Sequence, residues 1–161
     1  MIFPLRSGSP EDTFEIARIL GEELVPGDVV GLTGDLGAGK TCFCKGIGAA
    51  LGILPDRVVS PTFTIVTMHE GIPSLVHVDV YRIDSLREAE EIGLDETLSG
   101  RGHAVCVVEW AEKISGLLPT DCIRVKLTIS GESGREISVA APDTRGLDRF
   151  RSRTKRFQPG G

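Results

Sequence analysis

Val29-Val30-Gly31-Leu32-Thr33-Gly34-Asp35-Leu36-Gly37-Ala38-Gly39-Lys40-Thr41 runs from an apolar stretch into a glycine-rich turn, and Cys42-Phe43-Cys44-Lys45-Gly46-Ile47 continues from it. The order reads strand, loop, helix. It lets successive backbone N–H groups and the positive end of a helix converge on one anion, as a phosphate cradle requires. In such a loop Gly34 and Gly39 permit tight turning and close backbone approach, and Asp35, Leu36, Gly37 and Ala38 form the turn between them. Lys40 is then placed to reach the β- and γ-phosphates of a nucleotide, and the Thr41 hydroxyl to ligate magnesium. The plainer alternative is a glycine turn joining a strand to a helix with an exposed lysine.

Upstream, Ser9-Pro10-Glu11-Asp12 supplies a capping serine, a proline at the first helical position and acidic residues in the first turn, so a helix is expected to start there. Ile16, Ile19, Leu20 and Leu24 form one apolar stripe that Pro26-Gly27-Asp28 ends. Thr13, at the polar beginning of this helix, either borders a nucleotide or is solvated. Residues 2–6 read as a short edge strand. Downstream, Phe43, Ile47, Ala50 and Leu51 share a helical face, and Gly52 suits a left-handed helix end. Gly46 and Gly48 inside that helix imply close packing of helix on sheet.

Ser60-Pro61-Thr62-Phe63 leads into a hairpin expected over residues 63–69 and 75–81, in which His77, Asp79 and Tyr81 alternate with Val76, Val78 and Val80. The polar three would line a cleft, meet a partner, or be solvated. Ser85-Leu86-Arg87-Glu88 is a capping box for a short acidic helix. Ala104-Val105-Cys106-Val107-Val108 has the continuous apolarity of a strand buried on both faces, and it ends in Glu109-Trp110, where open α/β sheets place ligands. A second hairpin is expected over residues 122–129 and 135–141. From Arg145 the chain turns basic, which reads as a flexible tail over residues 145–161, disordered or a frayed helix, or as a local patch for RNA or a partner. The folded unit is accordingly expected to be one domain spanning residues 1–144.

The 161 residues suffice for one core without disulfides. With 18 Lys and Arg against 23 Asp and Glu, the net charge of -5 excludes a whole-molecule electrostatic nucleic-acid binder. Cys42, Cys44, Cys106 and Cys122 lack zinc spacing, and a Cys42-x-Cys44 redox pair would point its thiols about 200° apart on a helix. No leader pattern and no apolar stretch of spanning length is visible, so a reduced, cytoplasmic protein without a membrane segment is expected.

The phosphate loop at 34–41, Ser-Pro-Thr-Phe at 60–63, His-x-Asp-x-Tyr-Arg at 77–82 and Val-Glu-Trp at 108–110 together closely resemble the bacterial TsaE family over residues 9 to 142. The resemblance implies an α/β, P-loop NTPase-like three-layer fold with a mixed central sheet that includes antiparallel hairpins. It also implies a magnesium-dependent ATPase that supports threonylcarbamoyladenosine modification of tRNA with TsaD and TsaB homologues, meeting tRNA only through that complex. Carried over by position, Lys40 is the phosphate ligand, Thr41 and Glu109 are the magnesium-associated residues, Thr62 is a switch-like contact near the γ-phosphate, and Asp79 orients or deprotonates the attacking water. Asp79 and Glu109 could exchange roles. Cys42 stands where many relatives have a second threonine, leaving its backbone N–H for phosphate contact. Arg82, three residues beyond Asp79, is expected on the opposite strand face and is a doubtful arginine finger. A non-hydrolysing nucleotide switch and a small-molecule kinase are the competing readings, and the kinase would need an arginine-rich lid that residues 82–104 lack.

Overall fold

In the computed structural model, which describes residues 1–60, 63–99 and 102–160, four parallel strands form the middle of the sheet: β2 (Val29–Thr33), β4 (Ser74–Asp79), β5 (Ala104–Glu109) and β6 (Ile123–Ile129). On one side β7 (Arg135–Ala140) runs antiparallel to β6, and the edge strand β1 (Ile2–Ser7) antiparallel to β7. On the other, β3 (Val66–His69) closes the sheet as an antiparallel edge on β4, giving the order β1-β7-β6-β2-β5-β4-β3. Both expected hairpins are present, and the first is shorter than its alternation suggests. Strand β4 stops at Asp79 because that carboxylate accepts a hydrogen bond from the Tyr81 N–H at 2.9 Å, which turns the chain. Tyr81 thus leaves the strand face it was expected to share with His77 and Asp79.

Alternation along the strands divides the core in two. Val30, Leu32, Val105 and Val107 point to the side of α1 (Pro10–Gly21) and α2 (Lys40–Ala50). Val29, Val78, Cys106 and Val108 meet α3 (Leu86–Glu91), α4 (Leu94–Ser99) and the 3-10 segment Ala111–Leu117 on the opposite side. This is a three-layer α/β architecture. Helix α1 starts as its capping signal predicts, with Ser9 Oγ accepting from the Asp12 N–H at 3.1 Å. Gly46 has a different reason from the expected one: a Cβ there would lie 2.4 Å from the Phe14 carbonyl oxygen and 2.6 Å from the Ala17 Cβ, so the glycine permits α2 to pack on α1 rather than on the sheet.

The end of the chain also differs from expectation. Instead of a loose tail beginning at 145, α5 (Asp148–Arg153) and a following 3-10 turn, Lys155–Phe157, lie on the α1 side, with Leu147, Phe150 and Phe157 in the main core. The ring of Phe150 meets Phe3 edge-on at 5.7 Å between centroids. Three of the segment's arginines are partnered as well: Arg145 bonds Asp28 and the Glu23 carbonyl, Arg149 faces Glu22 and Glu23, and Arg153 bonds Glu22. The guanidinium of Arg153 holds the Glu22 carboxyl below its ordinary pKa, with Arg18 adding to the effect. The folded unit therefore extends past residue 144. Phe150→Ala should destabilise the protein by about 3–5 kcal/mol in urea unfolding, whereas Arg149→Gln should cost less than about 1 kcal/mol. A negligible effect of Phe150→Ala would return the segment to the status of a tail.

Candidate functional site

Leu32 of β2 pairs with Glu109 of β5, and Glu109 with Asp79 of β4, so the loop after β2 emerges beside two carboxylates. A cleft of about 440 Å³ opens there, lined by Leu36, Gly37, Gly39, Lys40, Thr41, Cys42, Ser60, Asp79, Tyr81, Glu109 and Trp110. The loop is shaped by close contact and by cations. A Cβ on Gly34 would stand 2.5 Å from the Leu127 carbonyl oxygen, and Gly39 takes a φ of 104° at the start of α2. No side chain caps that helix, so its first N–H groups are available to an anion. Lys40, nearly buried, donates through Nζ to the carbonyls of Gly34 at 2.5 Å and Asp35 at 2.9 Å. Arg135 of β7 donates to the carbonyls of Gly37 and Ala38, each at 3.0 Å. Two cations thus hold four of the loop's carbonyls.

Burial pulls the Lys40 ammonium below its ordinary pKa, opposed by Glu109, Glu112, Asp35 and Asp79. Its Nζ also lies 3.8 Å from the centre of the Trp110 ring, against which the Tyr81 ring packs at 4.9 Å, tilted by 44°. Across the cleft, the Thr41 hydroxyl donates to Glu109 Oε1 at 2.9 Å and the Ser60 hydroxyl to Asp79 Oδ2 at 2.6 Å, with Glu109 Oε2 3.2 Å from the same hydroxyl. His77 Nε2 lies 2.6 Å from Glu109 Oε2. A hydroxyl beside two carboxylates is a hard oxygen donor set, which fits magnesium sharing its remaining positions with phosphate oxygens and water. Among the described residues no cluster of three or more His, Cys, Asp or Glu suited to a protein-only metal cage occurs.

Of the residues singled out from sequence, most of the loop residues, with Cys42, Asp79 and Glu109, thus meet at one cleft. Gly34, Asp35 and Ala38 do not line it: the Gly34 and Asp35 carbonyls hold Lys40, and the Ala38 carbonyl accepts from Arg135. Thr13 lies round the corner: with Pro10, Ala38, Glu132, Ser133 and Arg135 it lines a smaller pocket of about 240 Å³ that shares Gly37, Gly39 and Cys42 with the cleft. Its hydroxyl is paired with Ser7 Oγ at 2.7 Å. Thr62 lies outside the described residues. Arg82 does not line the cleft, and its guanidinium sits over Phe63 at 4.7 Å. Cys42 and Cys44 are free thiols, both raised in pKa by burial, which runs against a redox pair.

The family model described as Threonylcarbamoyl adenosine biosynthesis protein TsaE matches residues 7–137. The chain belongs to the TsaE family. It is 42% identical over 134 residues to a protein of Treponema pallidum (strain Nichols) named tRNA threonylcarbamoyladenosine biosynthesis protein TsaE, covering 83% of this chain and 97% of the relative. The protein of the same name from Bacillus subtilis (strain 168) is 44% identical over 142 residues, 87% of this chain and 86% of the relative. The crystal structure of YdiB from Bacillus subtilis matches with a TM-score of 0.75 at 36% identity, over 97% of this chain and 95% of that one. The P-loop NTPase-like fold expected from the resemblance agrees with this match. The TsaE model ends at residue 137, so the core segment around Phe150 lies beyond it.

Arg135 escaped the sequence reading, since a lone arginine opening a strand carries no pattern, and only the fold of β7 over the loop gives it a role. Arg135→Ala should release the Gly37 and Ala38 carbonyls and lower amide hydrogen-exchange protection over residues 35–41 by about 10-fold, as expected for losing charge-assisted bonds of about 1.5 kcal/mol. Unchanged protection would mean that Lys40 alone holds the loop.

Proposed function

We propose that this protein is a magnesium-dependent ATPase serving threonylcarbamoyladenosine modification of tRNA, acting with TsaD and TsaB homologues and meeting tRNA through them. The observation that carries the reading is the Thr41–Glu109 hydrogen bond at 2.9 Å, which joins the head of the phosphate loop to an acid at the end of the neighbouring strand. The names of the relatives, which specify tRNA threonylcarbamoyladenosine biosynthesis, support the pathway.

In this reading the loop N–H groups and the start of α2 bind the phosphates, and Lys40 moves its ammonium from loop carbonyls to phosphate oxygens. Bound magnesium would neutralise charge on the phosphates beside Thr41 and Glu109. The hydrogen bonding favours a division of labour between the two acids. Glu109 is committed to Thr41 and His77, which suits the metal side. Among the described residues Asp79 accepts from the Ser60 hydroxyl and the Tyr81 N–H, which suits orienting a water for in-line attack. The pocket beside Thr13 is a natural continuation for the nucleoside, next to Cys42 and Arg135.

Among the described residues no arginine lines the cleft, and Arg135 is engaged with loop carbonyls. An enzyme without such a group at the transferring phosphate is slower by about 10³ to 10⁵, so turnover is expected to be slow alone and faster with the partner complex. The test is steady-state phosphate release with and without magnesium, alone and with TsaB and TsaD homologues. Lys40→Ala should abolish release in every arm, and Glu109→Gln and Asp79→Asn should retain ATP binding while losing turnover. Nucleotide binding without hydrolysis would favour a switch, and release dependent on a small-molecule acceptor a kinase. A fast isolated enzyme, or a partner effect that survives Lys40→Ala, would overturn the proposal. Because Trp110 touches Lys40, its fluorescence should change when ATP and magnesium bind, and flat emission at saturation would contradict the placement of the phosphates.

A further inference from the structure

His77 is fully buried, at 0% exposure, in a strand whose other inward residues are apolar or acidic. Its Nε2 approaches Glu109 Oε2 at 2.6 Å, while its Nδ1 is buried without a hydrogen-bond partner among the described residues. A carboxylate only accepts, so Nε2 carries the proton. The contact is thus a hydrogen bond donated by the ring to the carboxylate.

Among the described residues, the other side chains hydrogen-bonded to Glu109 are Thr41, at Oε1, and Ser60, at Oε2. Asp79 stands beside Glu109 in register and repels it, and the Ser60 hydroxyl lies closer to Asp79 Oδ2, at 2.6 Å, than to Glu109 Oε2, at 3.2 Å. With one proton to give, Ser60 serves Asp79. Without His77, Oε2 would face a like charge and the carboxylate would be free to rotate about its side-chain torsions, taking Oε1 away from Thr41.

We propose that His77 is a positioning residue for Glu109: its Nε2–H anchors Oε2 so that Oε1 stays aimed at Thr41, and this sets how tightly the site takes magnesium together with a nucleoside triphosphate. The proposal rests on the reading of the cleft as a magnesium–ATP site. Removing such an outer partner of a metal-binding carboxylate lowers metal affinity by about 10- to 100-fold.

The test is calorimetric titration of ATP across a magnesium series and in EDTA, on the unaltered protein, His77→Leu and His77→Gln, with thermal melts of each. Leucine fills the space without a donor, and the glutamine amide nitrogen reaches about as far as Nε2. His77→Leu should bind ATP in EDTA as the unaltered protein does, yet need about 10- to 100-fold more magnesium to reach its tight state, and His77→Gln should recover most of that loss. An unchanged magnesium midpoint in His77→Leu, or an equal loss of ATP affinity with and without magnesium, would overturn the proposal and leave the function standing. Absence of any magnesium effect on ATP binding by the unaltered protein would overturn both. Should His77→Leu fail to fold, His77→Gln is compared with His77→Asn, whose shorter amide falls short of Oε2. Equal midpoints in that pair would also overturn it.

Discussion

The level at which the parallel strands stop governs the rest of this molecule. Leu32, Glu109 and Asp79 lie abreast in three neighbouring strands although they are far apart in the chain, and the strands are packed on both faces, so a one-residue slip would drive apolar side chains to the wrong layer. Two carboxylates are thereby forced together at the mouth of a glycine loop. Each needs donors to remain there, and Thr41, Ser60, His77 and the Tyr81 N–H provide them. The polar shell of the cleft follows from the pairing register of apolar strands.

Much of this was legible because it is written in local patterns. The apolar run before Gly34, the alternation through Val76, Val78 and Val80 and the unbroken run ending at Glu109 each point to a strand, and the cap at Ser9 marks where α1 begins. The segment after residue 145 was misread because its cations dominate the composition. Beneath them Leu147, Phe150, Thr154 and Phe157 recur at spacings of three, four and three, a helical stripe whose four members are all buried. The acids that pair with its arginines lie more than 110 residues earlier, which no local window can see. Arg135 and the Ser60 hydroxyl were silent for the same reason: their value comes from chain crossings. Gly46 signalled close approach, but its partner, α1, could not be chosen from the glycine alone.

Both acids are bracketed by unusual backbone. Trp110, directly after Glu109, and Ile65, whose carbonyl accepts the Asp79 N–H at 2.8 Å, take left-handed conformations with φ near 60°. For non-glycine residues this costs about 1–3 kcal/mol each, and such strain persists only where surrounding contacts over-determine it. At Trp110 the visible compensation is the indole face against the Lys40 ammonium and the Tyr81 ring.

That indole contact makes the lysine's seat an occupied one. Lys40 already satisfies its charge with two carbonyls and an aromatic face, so in the proposed reading an arriving phosphate would not fill a vacancy but carry out a substitution, and its affinity would be the difference between two sets of bonds. Loading and unloading would then be two directions of one exchange, with the aromatic ring as the returning ligand.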